Sequence, residues 1–319
     1  MTQRYHTLYF IILSLLLIVF FVIDIMVGQI QLDWTNPIHQ QVFMSLRLPK
    51  ALTAVIAGIG LSLSGLMMQT LFRNPLAGPY ILGVSSGATL GVAVVLMIGT
   101  FFGIAHPSNW ATIAAAIIGS SIILLFVLAI SHKVKNSVSL LIVGMMIGSI
   151  ASAVVNIIQN YADPDALKLF IVWTFGSLTS VGWEELQVLT PIFLIGTIIA
   201  LCLIKPLNGM LLGDNYAQSL GVNVSRTRLL IILATGLLAG GITAFTGPIA
   251  FLGIAVPHIA RGLFKTSSHN IVMPATILIG ATLLLLCDIL SGLTTYPLPI
   301  STVSALFGAP IVIWIIIKK

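Results

Sequence analysis

The fold of this chain is decided by residues 47–91, which read RLPKALTAVIAGIGLSLSGLMMQTLFRNPLAGPYILGVSSGATLG. An apolar run from 50 to 71 is followed by the polar turn RNP and by a second apolar run from 79 to 101. Each run has about 20 residues, the length an α-helix needs to cross the roughly 30 Å hydrocarbon core of a bilayer. The stretch therefore predicts two membrane helices joined by a short turn.

The composition extends this interpretation to the whole chain. Of its 319 residues, 58% are hydrophobic and only 7% are charged, whereas soluble domains carry roughly 25% charged residues. So few charges cannot cover a soluble fold of this length. We predict an all-α polytopic membrane protein that forms a single domain over residues 1–319.

Hydropathy predicts about ten transmembrane helices, each bounded by polar residues, glycine or proline. Their approximate ranges are 7–27, 50–71, 79–101, 110–131, 138–159, 186–205, 229–246, 248–264, 273–291 and 300–317. The eighth is short for a full crossing, and discontinuities are predicted at Pro248 and Pro257.

Charge sets the predicted orientation, because cytoplasmic loops collect Lys and Arg. With the N-terminus inside, eleven basic residues fall on the cytoplasmic side, and only Arg47, Lys50 and Lys168 fall outside. Both termini are therefore predicted to be cytoplasmic. The longer outer segments, about 28–49 and 160–185, are either docking surfaces or plain loops, and the second holds a predicted interfacial helix over 167–175 with Trp173 as its anchor.

Glycines recur at four-residue spacing in several predicted spans, which makes a smooth stripe along one helix face. They are Gly83, Gly87 and Gly91, then Gly144 and Gly148, then Gly236 and Gly240. The spacing favours close packing between helices, and a wall of a wide pore remains the alternative.

The chain lacks the motifs of an energy-converting enzyme. The segment GLFKTS at 262–267 has no glycine directly before Lys265, so it does not match a phosphate-binding loop. Asp288 and His258 are the main ionisable residues at predicted membrane depth, too few for a typical proton relay. If the protein uses energy, the energy comes from a partner or from an ion gradient.

Four motifs in register identify a family. Residues 47–91, GDNYAQSLGV at 213–222, GPIAFLGIAVPHIAR at 247–261 and LPISTVSALFGAPIVIW at 298–314 closely resemble the FecCD family. Its members are membrane subunits of binding-protein-dependent ABC importers for iron siderophores, haem and cobalamin. The resemblance implies the type II ABC importer permease fold and a bacterial cytoplasmic (inner) membrane location.

The resemblance also implies the partners. A second copy of the permease, or a close relative, forms a dimer with the substrate path along the subunit interface. Two cytoplasmic ATPase subunits bind ATP and Mg²⁺, and an extracytoplasmic binding protein delivers the substrate. The chain itself is expected to lie in membrane lipid, to bind no cofactor or metal, to hydrolyse nothing and to contact no nucleic acid.

Site residues follow by the same resemblance. The segment 206–228 is expected to couple to the ATPase through Gly213, Asp214, Ala217, Leu220 and Gly221. Asp214 would cap a short helix beginning at Asn215, Gly221 would end it in a left-handed conformation, and Ala217 and Leu220 would present a small apolar face to the ATPase.

The remaining expected sites lie at the outer rim, the inner gate and the path. Arg47 and Lys50 are expected to dock the binding protein, although they could instead anchor a helix end at the interface. The expected cytoplasmic gate comprises Asn136, Ser137, Val138 and Ser139. The path is expected along the fifth and tenth spans, with Gly144, Gly148, Ser152 and Asn156 as candidate wall residues.

The leading hypothesis is a permease that imports a bulky metal chelate, with an iron siderophore first and haem or cobalamin next. The family's binding protein makes that choice, so this chain does not reveal the substrate. Gly292 stands where the family often has a basic residue, which leaves the docking electrostatics open. The alternative is a secondary transporter driven by an ion gradient.

Overall fold

A computed structural model describes residues 2–28, 33, 35–99, 107–131, 133–134, 137–294 and 297–317. These residues are helical or connecting, with no strand among them. The α-helices are α1 (Thr2–Met26), α2 (Pro37–Val42), α3 (Leu48–Phe72), α4 (Val84–Ala93), α5 (Asn109–Ser131), α6 (Ser137–Asn160), α7 (Pro164–Thr174), α8 (Trp183–Cys202), α9 (Ile204–Met210), α10 (Asp214–Ser219), α11 (Val224–Thr235), α12 (Gly241–Thr246), α13 (Leu252–Phe264), α14 (His269–Gly292) and α15 (Ile300–Ile317). Wide π-helical turns occupy Phe43–Arg47, Val94–Ile98 and Gly236–Gly240, and a 3₁₀ turn occupies Pro79–Leu82.

Seven helices in the described part of the chain are long and apolar enough to cross a membrane. They are Tyr5–Met26, Pro37–Phe72, Asn109–Ser131, Ser137–Asn160, Trp183–Cys202, Val224–Thr246 and His269–Gly292. Three more apolar helices, Val84–Ile98, Leu252–Phe264 and Ile300–Ile313, coincide with predicted spans but are shorter. The all-helical membrane fold is confirmed, whereas the count of ten crossings stays a prediction.

The helix α3 lies at the centre of the bundle and packs against α8, α11, α13 and α14. Most of its residues from Ala57 to Phe72 are buried. Two glycines allow the close approach: a Cβ on Gly58 would lie 2.3 Å from the Gly280 carbonyl oxygen, and one on Gly65 would lie 1.8 Å from that of Gly253. Backbone-to-backbone contact of this kind is typical of membrane helices that pack through small residues.

The glycine stripe of α4 packs in the same way. A Cβ on Gly91 would lie 2.0 Å from the Ala115 oxygen of α5, and one on Gly87 would lie 2.5 Å from the Gly119 oxygen. On α6, Gly144 faces the Ile81 oxygen and Gly148 faces the Gly83 Cα. The predicted packing role is thus confirmed for these glycines.

The chain leaves helical geometry between α12 and α13. Gly247 and Phe251 both have positive φ, 71° and 67°, and α13 begins only at Leu252, four residues later than predicted. The Tyr80 hydroxyl binds this segment, donating to the Ile249 oxygen and accepting from the Ile249 amide. The break near Pro248 is confirmed, but the break predicted at Pro257 is wrong, because α13 continues through that residue.

Candidate functional site

The middle of the predicted coupling segment 206–228 forms the short helix α10 between two glycines. Gly213 precedes it with φ +114°, and Gly221 follows it with φ +82°, so the predicted left-handed end at Gly221 is confirmed. The predicted cap is wrong: α10 begins at Asp214 itself, and no side chain caps its N-terminus. Asp214 instead lies in the first helical turn, where a carboxylate stabilises the helix dipole, and it points toward two arginines.

The apolar face of α10 also differs from the prediction. Ala217 is fully buried against the rest of the chain and cannot present itself to a partner. The exposed apolar side chains are Leu212, Tyr216 and Leu220, the last of them 59% exposed. Tyr216 was not predicted as a contact residue, because the sequence does not show which side of so short a helix packs on the chain; here Ala217 faces inward and Tyr216 faces outward.

An ion-pair cluster joins this segment to two other parts of the chain. The Asp214 Oδ1 atom lies 2.6 Å from Nη2 of Arg73, just after α3, and its Oδ2 atom lies 3.7 Å from Nη2 of Arg228 on α11. Arg228 in turn donates to the Val134 carbonyl oxygen at 3.0 Å and to the Ser137 hydroxyl at 3.4 Å. Residues far apart in sequence are thus held together at one end of the bundle.

A cleft of about 1090 Å³ lies at this end. Its lining includes Gly213 and Asp214 from the coupling segment, and Ser137 and Val138 from the predicted gate, together with Phe72, Arg73, Leu212, Asn215, Tyr216 and Ser219. Ser139 is exposed at the start of α6, and Asn136 lies outside the described residues. The cleft therefore brings part of the predicted gate next to the predicted coupling residues.

The four predicted path residues share one groove. Gly144, Gly148, Ser152 and Asn156 line a cavity of about 530 Å³ between α6 and the start of α4. An adjoining cavity of about 270 Å³ shares Ser86, Ser152 and Asn156 with it and reaches α7. Together they form a groove lined by α4, α6 and α7. A contribution of the tenth predicted span to the path stays a prediction.

Several groove residues were missed from the sequence. Ser85, Ser86 and Thr89 on α4 and Gln159 on α6 contribute hydroxyl and amide groups. The signal lay in the stretch GVSSGAT, where polar side chains stand beside the packing glycines. All of these groups are neutral, so the groove offers weak polar contacts and no fixed charge.

The predicted docking residues Arg47 and Lys50 lie at the opposite end and are used within the chain. The Arg47 side chain is buried and donates to the last carbonyls of α1, at Ile25 (3.1 Å) and Met26 (2.8 Å). Lys50 lies 2.7 Å from Asp288 and 3.7 Å from Asp24. Helix-end carbonyls thus bind Arg47, and buried carboxylates pair with Lys50. The docking role of the two residues stays a prediction.

A bundle of apolar helices that holds a polar groove, with a structured polar segment at one end, has the architecture of a membrane permease. The model of the FecCD transport family matches residues 15–318. The chain belongs to the FecCD transport family. It is an ABC importer permease and a multi-pass protein of the inner membrane.

Curated relatives extend over almost the whole chain. The vitamin B12 import system permease protein BtuC of Escherichia coli O6:K15:H31 is 32% identical over 324 residues, covering 99% of this chain and 97% of the relative. The uncharacterized ABC transporter permease protein YvrB of Bacillus subtilis is 33% identical over 287 residues, covering 89% of this chain and 81% of that protein.

Solved structures agree with this assignment. A metal-chelate type ABC transporter in an inward-facing conformation superposes with a TM-score of 0.88 at 33% identity, covering 98% of this chain and 99% of the other. PsaBC from Streptococcus pneumoniae superposes with a TM-score of 0.52 at 15% identity, covering 84% and 90%. The second likeness concerns the fold alone.

Proposed function

We propose that this chain forms a homodimer that moves a bulky metal chelate into the cytoplasm. Two ATPase subunits, which bind ATP and Mg²⁺, power the transport, and an extracytoplasmic binding protein supplies the substrate. In this proposal the chain crosses the membrane ten times with both termini in the cytoplasm. It contributes the path and the contact with the ATPase, and no chemistry of its own.

The observation that carries the proposal is the convergence of distant segments at each end of the bundle. Arg73, Ser137 and Asp214 follow the second, fourth and sixth predicted spans and meet in one cleft. Asp24, Lys50 and Asp288 mark the ends of the first and ninth predicted spans and the start of the second, and they meet at the other end. If the chain crosses the membrane ten times with its N-terminus inside, all three residues of the first group lie on the cytoplasmic side and all three of the second group lie on the outer side.

The groove supports a path between two copies of the chain. It is open along α6, where the lining residues Met145, Ser149, Ala153 and Asn156 stand exposed. A second copy packed on this face would close the groove and cover these residues. Neutral hydroxyl and amide groups suit a bulky complex that must pass without being held, because a tight site would slow its release.

The substrate class is a metal chelate. The curated relatives named for vitamin B12 import favour cobalamin, the metal-chelate type structure favours the wider class, and iron siderophores remain the first expectation from the family. Uptake of labelled ferric siderophore, haem and cobalamin, each offered with its own binding protein, distinguishes the three.

The test is uptake in proteoliposomes that contain the chain, a candidate ATPase and a binding protein. ATP enclosed in the vesicle lumen, on the same side as the ATPase, should drive uptake. An ATPase partner that cannot hydrolyse ATP should abolish it. Leu220→Asp should reduce uptake at least tenfold by placing a charge on the apolar contact, while the conservative Leu220→Met should stay near the wild-type rate. Uptake that needs only an ion gradient would sink the importer proposal.

A further inference from the structure

Arg228 lies where the coupling segment, α11 and the start of α6 meet. Its side chain is only 8% exposed, which is unusual for an arginine unless the charge is paired. One nitrogen donates to the Val134 oxygen, and the other donates to the Ser137 hydroxyl and faces the Asp214 carboxylate. A single planar guanidinium thus joins the first residue of α10 to the first residue of α6.

We propose that Arg228 is a positioning residue that transmits displacement of the coupling helix α10 to α6. The inference rests on the proposed function, since it takes the ATPase to be what moves α10. A guanidinium presents its donors in a rigid fork, and the nitrogen that donates to Ser137 is the one that lies 3.7 Å from Asp214. A displacement of Asp214 therefore changes the charge that holds this nitrogen beside Ser137. The groove residue Gly144 lies seven residues beyond Ser137 on α6, about 10 Å along the helix.

The contact of Arg228 with Ser137 depends on the negative charge of Asp214. The N-terminus of α6 carries the positive end of its helix dipole, which disfavours a nearby guanidinium. The Asp214 carboxylate compensates this charge, so the position of Arg228 beside Ser137 depends on where α10 holds Asp214. Arg73 shares the same carboxylate, but its side chain is half exposed, and an exposed pair contributes little.

The chemistry makes Arg73 a discriminating comparison. Both arginines pair with Asp214, and Arg73 is the closer of the two, but it is Arg228 that donates to Val134 and to Ser137 at the start of α6. If Asp214 matters only as an anchor for α10, loss of either arginine should have the same effect. If the connection to α6 matters, loss of Arg228 should be the more severe.

The experiment measures substrate taken up per ATP hydrolysed in proteoliposomes with the ATPase and binding protein. Arg228→Gln should lower this ratio at least tenfold while the ATPase still copurifies, and Arg73→Gln should lower it less than threefold. Lys265→Gln removes an exposed positive charge outside the cleft and serves as the control. Asp214→Asn added to Arg228→Gln should cause little further loss, because the two residues act as a unit.

Ser137→Ala keeps the inference testable if Arg228→Gln is not recovered from the membrane. It removes one acceptor of the guanidinium and should lower the ratio about threefold with unchanged membrane abundance. Equal ratios for Arg228→Gln and wild type, or equal losses for Arg228→Gln and Arg73→Gln, would overturn the inference alone; so would an unchanged ratio in Ser137→Ala. Absence of ATP-driven uptake in the wild type would instead overturn the proposed function, and this inference with it.

Discussion

Replacing Gly65 by alanine tests whether backbone contact between α3 and α13 holds the bundle together. The added Cβ would lie 1.8 Å from the Gly253 carbonyl oxygen and 2.3 Å from its carbonyl carbon, whereas ordinary contact begins near 3.4 Å. The obstacle is backbone, so no side-chain rotation relieves it. One helix must move by about 1.6 Å, and that movement opens gaps elsewhere along a helix that is buried for most of its length.

The expected net loss of stability is about 2 kcal/mol. Overpacking a close-packed core usually costs about 1–3 kcal/mol, and a clash of two backbones belongs at the upper end. Alanine recovers up to about 1 kcal/mol through its better helix propensity, which offsets part of that cost. For a chain of this size the midpoint of thermal unfolding should fall by about 4–8 °C.

The assay is thermal unfolding of the purified protein in detergent, followed by intrinsic fluorescence or by loss of the monodisperse peak. Gly262→Ala is the matched control: this glycine lies within α13, the helix that Gly65 of α3 contacts, but an added Cβ there meets nothing within 4 Å. Its midpoint should be unchanged or slightly higher. A Gly65→Ala midpoint within about 1 °C of wild type would refute the close approach of the two helices.

Three further predictions concern charges and the coupling segment. Lys50→Met removes the positive charge facing the buried Asp24 and Asp288 and should destabilise the protein by about 3 kcal/mol, measured as the midpoint of thermal unfolding. Adding Asp24→Asn should restore part of that midpoint, and no change in either variant would mean that the pairs do not form. Gly221→Val should destabilise the end of α10 by about 1–2 kcal/mol, because valine disfavours the left-handed φ of this position, and Gly221→Asn should destabilise it less. The amount of ATPase that copurifies measures both effects, and equal amounts for the two variants would argue against the positive φ. Because Arg47 and Lys50 are occupied within the chain, the association rate with the binding protein should change less than about threefold between 50 and 300 mM salt. Surface plasmon resonance measures this rate, and a steep salt dependence would restore both residues as docking charges.

The sequence predicts the helical membrane fold because apolar runs of about 20 residues admit few alternatives in lipid. It also predicts which glycines pack, since four-residue spacing puts them on one helix face. The lengths of the helices are less predictable. The helices α4 and α13 are shorter than their apolar runs, because the chain turns at Gly83 and leaves helical geometry at Phe251. Such turns depend on partners such as the Tyr80 hydroxyl, which lies more than 160 residues away from Ile249 in sequence.

The site was predictable in position more than in detail. Gly221 and the groove residues of α6 follow from local pattern and resemblance. The partners of Asp214 do not, because Arg73 and Arg228 belong to other segments and only the folded bundle brings them together. For the same reason the sequence could not show that Arg47 and Lys50 are occupied by α1 and α14, since a basic residue near a helix end looks the same whether it faces solvent or a buried carboxylate.

The wide turn at Gly236–Gly240 has a consequence for length variation among relatives. A π turn holds one residue more than the α-helical turn it replaces, and each residue turns the helix by about 100°. Deleting one residue there would leave a continuous helix but would rotate Ile242 and Thr246, both now buried, away from the core. The extra residue therefore sets which side chains of the second half of this span face the core. A relative without it needs apolar residues at different positions of that half.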